Sequence, residues 1–417
     1  ELARRLDGLP LALELAAGRV GTLALPDLHT RLDRALDLFS SGRASSSARH
    51  RTLRAAIDWS YQALDDDARA LQRALSVFPG GVDLATAERI GERLGLSDDP
   101  AAVLSGLVEA SVLVADSTTR RFRALETVRA FALDALEAAG ERDRAEAEMV
   151  AWAVDLADRL DVLSMSVDEA SAGAVLQTEL PNLTAAWDAA GRRGDLGARV
   201  ALVVNLDNLA TYRGLPVLPS WALELADDPA LADHPDRLAA LGAAACAAWM
   251  VGELDRSEEL VAQALVPGAP ANARYRALEA ASTVKLYRGD PVGASEGWET
   301  AAGLVPPGLV TSYLAPAGLA AAYADDIDRA EALLARAEAA AKLGAPSALA
   351  FARYSRAEML AGREPDRAVE LYGEAIELAR ASGAEFVEGI ASVGLVRLWA
   401  TTGRSRQALA GYGSLLE

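Results

Sequence analysis

The chain has 417 residues, 51% of them hydrophobic, a net charge of −19 and a single cysteine, Cys246. That length exceeds what one hydrophobic core supports and predicts several domains or a repeat array. The charge works against general affinity for nucleic acid or anionic membrane, and one cysteine excludes an internal disulfide. No apolar run approaches the roughly 18 residues of a membrane span, and no basic, apolar leader opens the chain, so a soluble, cytoplasmic protein is expected. In chain order, GLPLALELAAGR (8–19) reads as a turn and a proline-opened apolar helix. Helical patterns continue through RTLRAAIDWSYQALDDDARALQRALSVFPGG (51–81) and AAVLSGLVEA (101–110). VLVADSTTRRFRAL (112–125) breaks the period with two short β-prone runs around a polar turn, which predicts a hairpin. Helices followed by a hairpin predict a winged-helix domain over 50–137. Residues 138–234, including TELPNLTAAWDAAGRRGD (178–195), are expected to form a linking helical domain.

From 235 to 417 the chain repeats. A small residue is followed four later by a large one and usually three after that by Ala: Ser257/Val261/Ala264, Ala294/Trp298/Ala301, Ala330/Leu334/Ala337 and Ala368/Tyr372/Ala375, with a weaker fifth copy at Ala408/Tyr412/Leu415. First members lie 37, 36, 38 and 40 residues apart, slightly above the roughly 34 of a tetratricopeptide repeat. The small residue lets two helices approach and the large one fills the gap to the next pair, so stacking buries a continuous core. The fold class is therefore mainly α: a winged-helix module followed by a right-handed α-α superhelix of tetratricopeptide-like repeats.

Catalytic signals are missing. Only two lysines occur, Lys285 and Lys342, and neither lies in a G-x-x-x-x-G-K-[ST] phosphate loop. His29, His50 and His234 are far apart with no partner at metal-ligand spacing, and Cys246 lies in an Ala-rich helix as a small core residue. No enzyme activity, metal or cofactor of this chain's own is expected. DNA binding through the winged helix is the alternative function, yet DPAAVLSGLVEASVL (99–113), the helix before the hairpin, carries no Arg, Lys, Asn or Gln to meet base edges. Arg120, Arg121 and Arg123 on the hairpin are read as solvated side chains, with contact to a phosphate backbone as the competing role.

GLPLALELAAGR, the 51–81 segment and RFRALETVRAFALDAL (121–136) resemble, in that order and spacing, the end of the nucleotide-binding module in STAND ATPases. That group includes plant disease-resistance proteins and actinobacterial regulators of the antibiotic-regulatory type. The resemblance implies that 1–49 is the remnant of a helical lid, that the P-loop core lies upstream, and that the intact protein binds ATP or ADP. It places Gly8 and Pro10 at the adenine. Family members often carry Met-His-Asp where this chain has Ala124-Leu125-Glu126, which implies a place near nucleotide for Glu126; Leu125 cannot supply the histidine's hydrogen bond. The expected role is the regulatory and sensing half of a bacterial transcriptional regulator, oligomeric or not when intact. First helices of the repeats should line a concave groove through Trp249, Arg276, Glu279, Tyr287, Arg353, Tyr354 and Arg397. Arg276, Arg353 and Arg397 are expected there as cationic anchors for a protein, a peptide or a small acidic ligand.

Overall fold

The computed structural model describes Arg54 and residues 57–416. The lid segment with Gly8, Pro10, His29 and His50 lies outside the described residues. Two compact units are present. One holds 57–153 with Glu179–Arg193, the other Val154–Thr178 with 194–416.

In the first unit a helical stretch over 57–62 leads to α1 (Asp66–Leu75), α2 (Leu84–Leu94), α3 (Pro100–Glu109), β1 (Val114–Asp116), β2 (Arg121–Arg123) and α4 (Glu126–Ala138). Asp65 and Asp83 start α1 and α2 by accepting from the amides of Ala68 and Thr86, donors a helix N-terminus otherwise leaves unpaired. Leu71, Phe78, Leu104, Leu107 and Leu136 form the core. Trp152 packs edge-on against Phe78 at 5.3 Å and donates to Thr86 Oγ1 at 3.2 Å.

The hairpin stands where the sequence predicts it. Its strands pair antiparallel, Val114 with Arg123 and Asp116 with Arg121. The Asp116 carboxylate closes the turn by accepting from the amides of Thr118 and Thr119. One expectation fails here. Arg120 and Arg123 are exposed, but Arg121 is only 9% exposed. Its guanidinium meets Glu179 at 2.5 and 3.0 Å and donates to the carbonyls of Gly80 and Gly81 at 3.2 and 2.7 Å. Asn182 completes the knot, accepting from the Gly80 amide and donating to Gly81 O and Glu179. Sequence could not show this, because the carboxylate that captures Arg121 lies 58 residues away.

α5 (Arg142–Ser164) and α6 (Glu169–Arg193) give their 154–164 and 169–178 portions to the second unit. There α7 (Leu196–Ala210) and α8 (Val217–Ala226) precede five helix pairs: α9 (Arg237–Met250) with α10 (Leu254–Ala264), α11 (Ala271–Tyr287) with α12 (Pro291–Ala302), α13 (Val310–Tyr323) with α14 (Ile327–Ala340), α15 (Pro346–Leu360) with α16 (Pro365–Ser382), and α17 (Glu385–Thr401) with α18 (Ser405–Leu416). The repeat register accounts for this packing. Ser257, Ala294, Ala330 and Ala368 are fully enclosed, as are the closing Ala264, Ala301, Ala337 and Ala375. Trp298, Leu334 and Tyr372 fill the gaps between, whereas Tyr412 of the weak fifth copy is exposed. Close approach is enforced at Gly318, where a Cβ would sit 2.7 Å from Leu334 Cγ. In four of the five pairs the turn holds a left-handed residue, supplied by Gly252, Gly289 and Gly403 and, in the third pair, by Asp325 at φ 59°.

Candidate functional site

The first helices α11 and α13, with the C-terminal turns of α7, hold a cluster of enclosed polar side chains in the second unit. Gly242 on α9 makes room for it, since a Cβ there would lie 2.9 Å from Arg276 Cβ. Arg276 is not the exposed groove cation the repeat pattern suggests. It is 2% exposed, its Nε meets Asp207 Oδ2 at 2.9 Å, and its other nitrogens donate to the carbonyls of Asn272 and Val204. Its guanidinium also lies 4.8 Å from the Tyr275 ring centre. The cause is α7, a helix outside the repeat register, which brings Asp207 onto this position.

Glu279, one helical turn along from Tyr275, is half-buried and accepts from the Tyr313 hydroxyl at 2.9 Å. Burial, and then the negative charge of Asp207, push its carboxyl up to about 7. Asp207 and Asp161 are raised by the same loss of solvation, although Arg276 opposes this in both and the Asn208 amide, which donates to Asp161 at 3.1 Å, also opposes it there. A narrow cleft opens beside this cluster. Glu279, Tyr313, Asn208, Tyr212 and Ser312 line it, together with Glu169 and Ser347. Glu169 is neutralised by Arg213 at 2.6 Å, both almost fully enclosed, and accepts from the Ser347 amide. The charge balance is thus clear. Among the described residues Arg213 answers Glu169 and Arg276 answers Asp207, while the hydrogen-bond donors to the Asp161 and Glu279 side chains are neutral and Arg276 acts on both only through its charge.

The other expected groove residues divide. Trp249 and Tyr287 stand together with ring centres 6.5 Å apart, and Tyr287 is 60% exposed. Tyr354 packs between Phe351 and Tyr372. Arg397 has 59% of its side chain exposed and holds the enclosed carboxylate of Glu358 at 2.6 Å, which also accepts from the hydroxyls of Tyr372 and Tyr323. Arg353 points elsewhere. It reaches Glu338 at 2.7 Å on α14 and Glu374 at 3.1 Å on α16, the second helices on either side, so it does not turn toward a surface lined by first helices.

Glu126 begins α4, where Arg129 grips both carboxylate oxygens at 3.0 and 2.7 Å. Arg129 also donates to the Ser76 carbonyl and, with Arg123 and Ala124, lines a second cleft that includes Phe78, Pro79 and Gln72. Residues that the sequence reading passed over are Asp161, Asp207, Tyr275 and Tyr313. Tyr275, Arg276 and Glu279 do share one stretch of helix, but the side chains that Arg276 and Glu279 bond, Asp207 and Tyr313, are 69 and 34 residues away. Cys246 is buried, its thiol pushed well up by desolvation, as a core cysteine's is. Among the described residues no group of side chains could hold a metal, and no helix is long and apolar enough to cross a membrane.

No family model matches the chain. Over 211 residues it is 36% identical to proteins of Mycobacterium tuberculosis and Mycobacterium bovis whose name is that of an inferred HTH-type transcriptional regulator; the match covers 49% of this chain and 24% of theirs. An uncharacterized protein of Mycobacterium tuberculosis is 34% identical over 154 residues, 34% of this chain and 37% of its own. Among solved structures, a signal transduction ATPase with numerous domains (STAND) protein with a tetratricopeptide repeat sensor, from Pyrococcus horikoshii, matches 97% of this chain and 58% of its own with a TM-score of 0.54 at 15% identity. At that identity the likeness is one of fold. The chain therefore has the fold of part of a STAND protein, and the matched region is about a quarter of the mycobacterial regulators' length.

Proposed function

We propose that this chain is the regulatory and sensing part of a STAND-type transcriptional regulator, with 50–137 as its winged helix, 138–234 as a linking region and 235–417 as the sensor. One observation carries the reading. A helix–hairpin unit and a unit of stacked helix pairs occur in one chain behind the motif GLPLALELAAGR, and their common fold follows a STAND protein over 97% of the chain. The ATPase core of such a regulator supplies phosphate binding, and Glu126, tied to Arg129, faces nucleotide only in its company. The mechanism is a population shift, in which a ligand held by the repeats favours the open form and nucleotide favours the closed one.

The binding place in this reading is the cleft lined by α7, α11 and α13. Its test is a reporter assay on the intact regulator carrying Ser312→Trp, which fills the cleft from its wall. Regulated transcription should be lost while the thermal melt holds. Full regulation with an unchanged melt would remove the cleft from the mechanism and direct attention to the exposed Tyr287 and Arg397. DNA contact by this chain has less to rest on. α3 carries no cation, and Arg121 is committed inside its own unit.

A further inference from the structure

We propose that the linking region is a releasable latch on the superhelix. Its segments 164–169 and 211–214 close over the ends of α13, α15 and α17, and the open form of the sensor is the one in which they have let go. This rests on the reading of the cleft as the sensor's binding place, and it names the element that a ligand moves.

The contacts that make the latch join residues far apart in sequence, and all lie within the second unit. Glu169, the first residue of α6, accepts from the Ser347 amide 178 residues away, at the start of α15. Its enclosed partner Arg213 donates to the carbonyl of Ser382, the last residue of α16, at 2.8 Å. Beside it the Tyr212 carbonyl accepts from the Phe386 amide at 3.2 Å, and the Tyr212 ring stacks on Phe351 at 5.8 Å. The seam is closed tightly. A Cβ at Gly308, ahead of α13, would run into the Met165 carbonyl oxygen, and one at Gly214 would lie 2.8 Å from Glu385 Oε2 on α17.

Three features make this seam one that opens. The linking side consists of the turns on either side of α6 and α7 rather than of helix faces, so no helical ladder has to break for them to leave. The repeats hold their own pairs through the small-large-Ala triplets, which lie on other residues. At the centre of the seam stands a buried ion pair, whose attraction is largely offset by the hydration both charges recover when it opens. The cleft runs along this seam. Glu169, Thr211 and Tyr212 line it from the linking side, and Ser312, Tyr313 and Ser347 from the repeats. A ligand lodged there bears on both walls, and one that fits better with the walls apart draws the population toward the released form.

The experiment is hydrogen exchange and limited trypsin digestion on the full chain. Gly308→Ala places a methyl group against the Met165 carbonyl and leaves every cleft residue unsubstituted. Amides of 165–169 and 211–214 should exchange about tenfold faster or more, while those of α14 and α16 change by less than about twofold. Trypsin should then cut after Arg213, which is 4% exposed in the closed chain. Glu169→Gln keeps the shape and removes the ion pair, and it should loosen the same two segments by a smaller factor. Faster exchange shared by the whole unit in both variants would make the two segments part of one cooperative core and overturn the latch. So would unchanged exchange in the two segments of Gly308→Ala. In the intact regulator Gly308→Ala should raise transcription without ligand, and unchanged transcription beside a released latch would overturn its regulatory role. Failure of the cleft reading shows separately, as unaltered regulation in the Ser312→Trp regulator.

Discussion

The helix–hairpin unit and the superhelix bury charge in opposite ways. In the first, the enclosed guanidinium of Arg121 finds a bidentate carboxylate, two carbonyls and an asparagine-buttressed turn, so each of its three nitrogens is used and the hairpin is fixed to the Gly80–Gly81 turn. In the second, two arginines are equally well matched, yet among the described residues the carboxylates of Asp161 and Glu279 accept hydrogen bonds from neutral donors only, with Arg276 acting on them through its charge alone. Charge buried with its complement serves the fold. Charge buried without one costs stability and persists where something else completes it.

The contrast can be broken at its strong end first. Arg121→Ala leaves Glu179 enclosed with no cation and only the Asn182 amide as donor, and should cost the helix–hairpin unit about 3–5 kcal/mol, read as earlier denaturant unfolding and loss of amide protection in β1 and β2. A change below about 1 kcal/mol would mean that the knot holds nothing together. Arg397→Ala removes the exposed partner of the enclosed Glu358, whose tyrosine donors remain, and should cost about 1–2 kcal/mol. Arg353→Ala should be the mildest, within about 0.5 kcal/mol, because Glu338 keeps Arg356 and the pair is partly solvated. A melt that ranks these three otherwise would sink the argument from enclosure.

Much of this architecture is legible in the sequence because it is local. The small-large-Ala triplets set helix contacts inside one repeat, and from Ser257 to Ala375 they bury as their spacing requires except at the half-buried Val261. The hairpin is legible because two β-prone runs flank a turn whose Asp116 caps its own backbone. The site is less so. Arg276 sits at an inward position by the repeat pattern, but α7 follows no repeat pattern and lays Asp207 over it from 69 residues away. Arg353 fails for another reason: a first helix also touches the second helices on either side of it, and a one-residue rotation in register moves a side chain from one surface to the other. Glu279, by contrast, lines the cleft and accepts from the Tyr313 hydroxyl.

The most direct test of the contrast in buried charge is the pH dependence of stability in the full chain beside Glu279→Gln. A carboxyl raised from about 4.5 to about 7 in the folded chain binds more protons folded than unfolded, so its contribution falls as pH rises across that interval. Glutamine cannot ionise and avoids the cost. The substitution should therefore leave stability near pH 4.5 unchanged and raise it at pH 8 by about 1–3 kcal/mol. A pH-independent difference, or a loss of stability at pH 8, would contradict the claim that Glu279 lies in the superhelix as a charge without a counterpart.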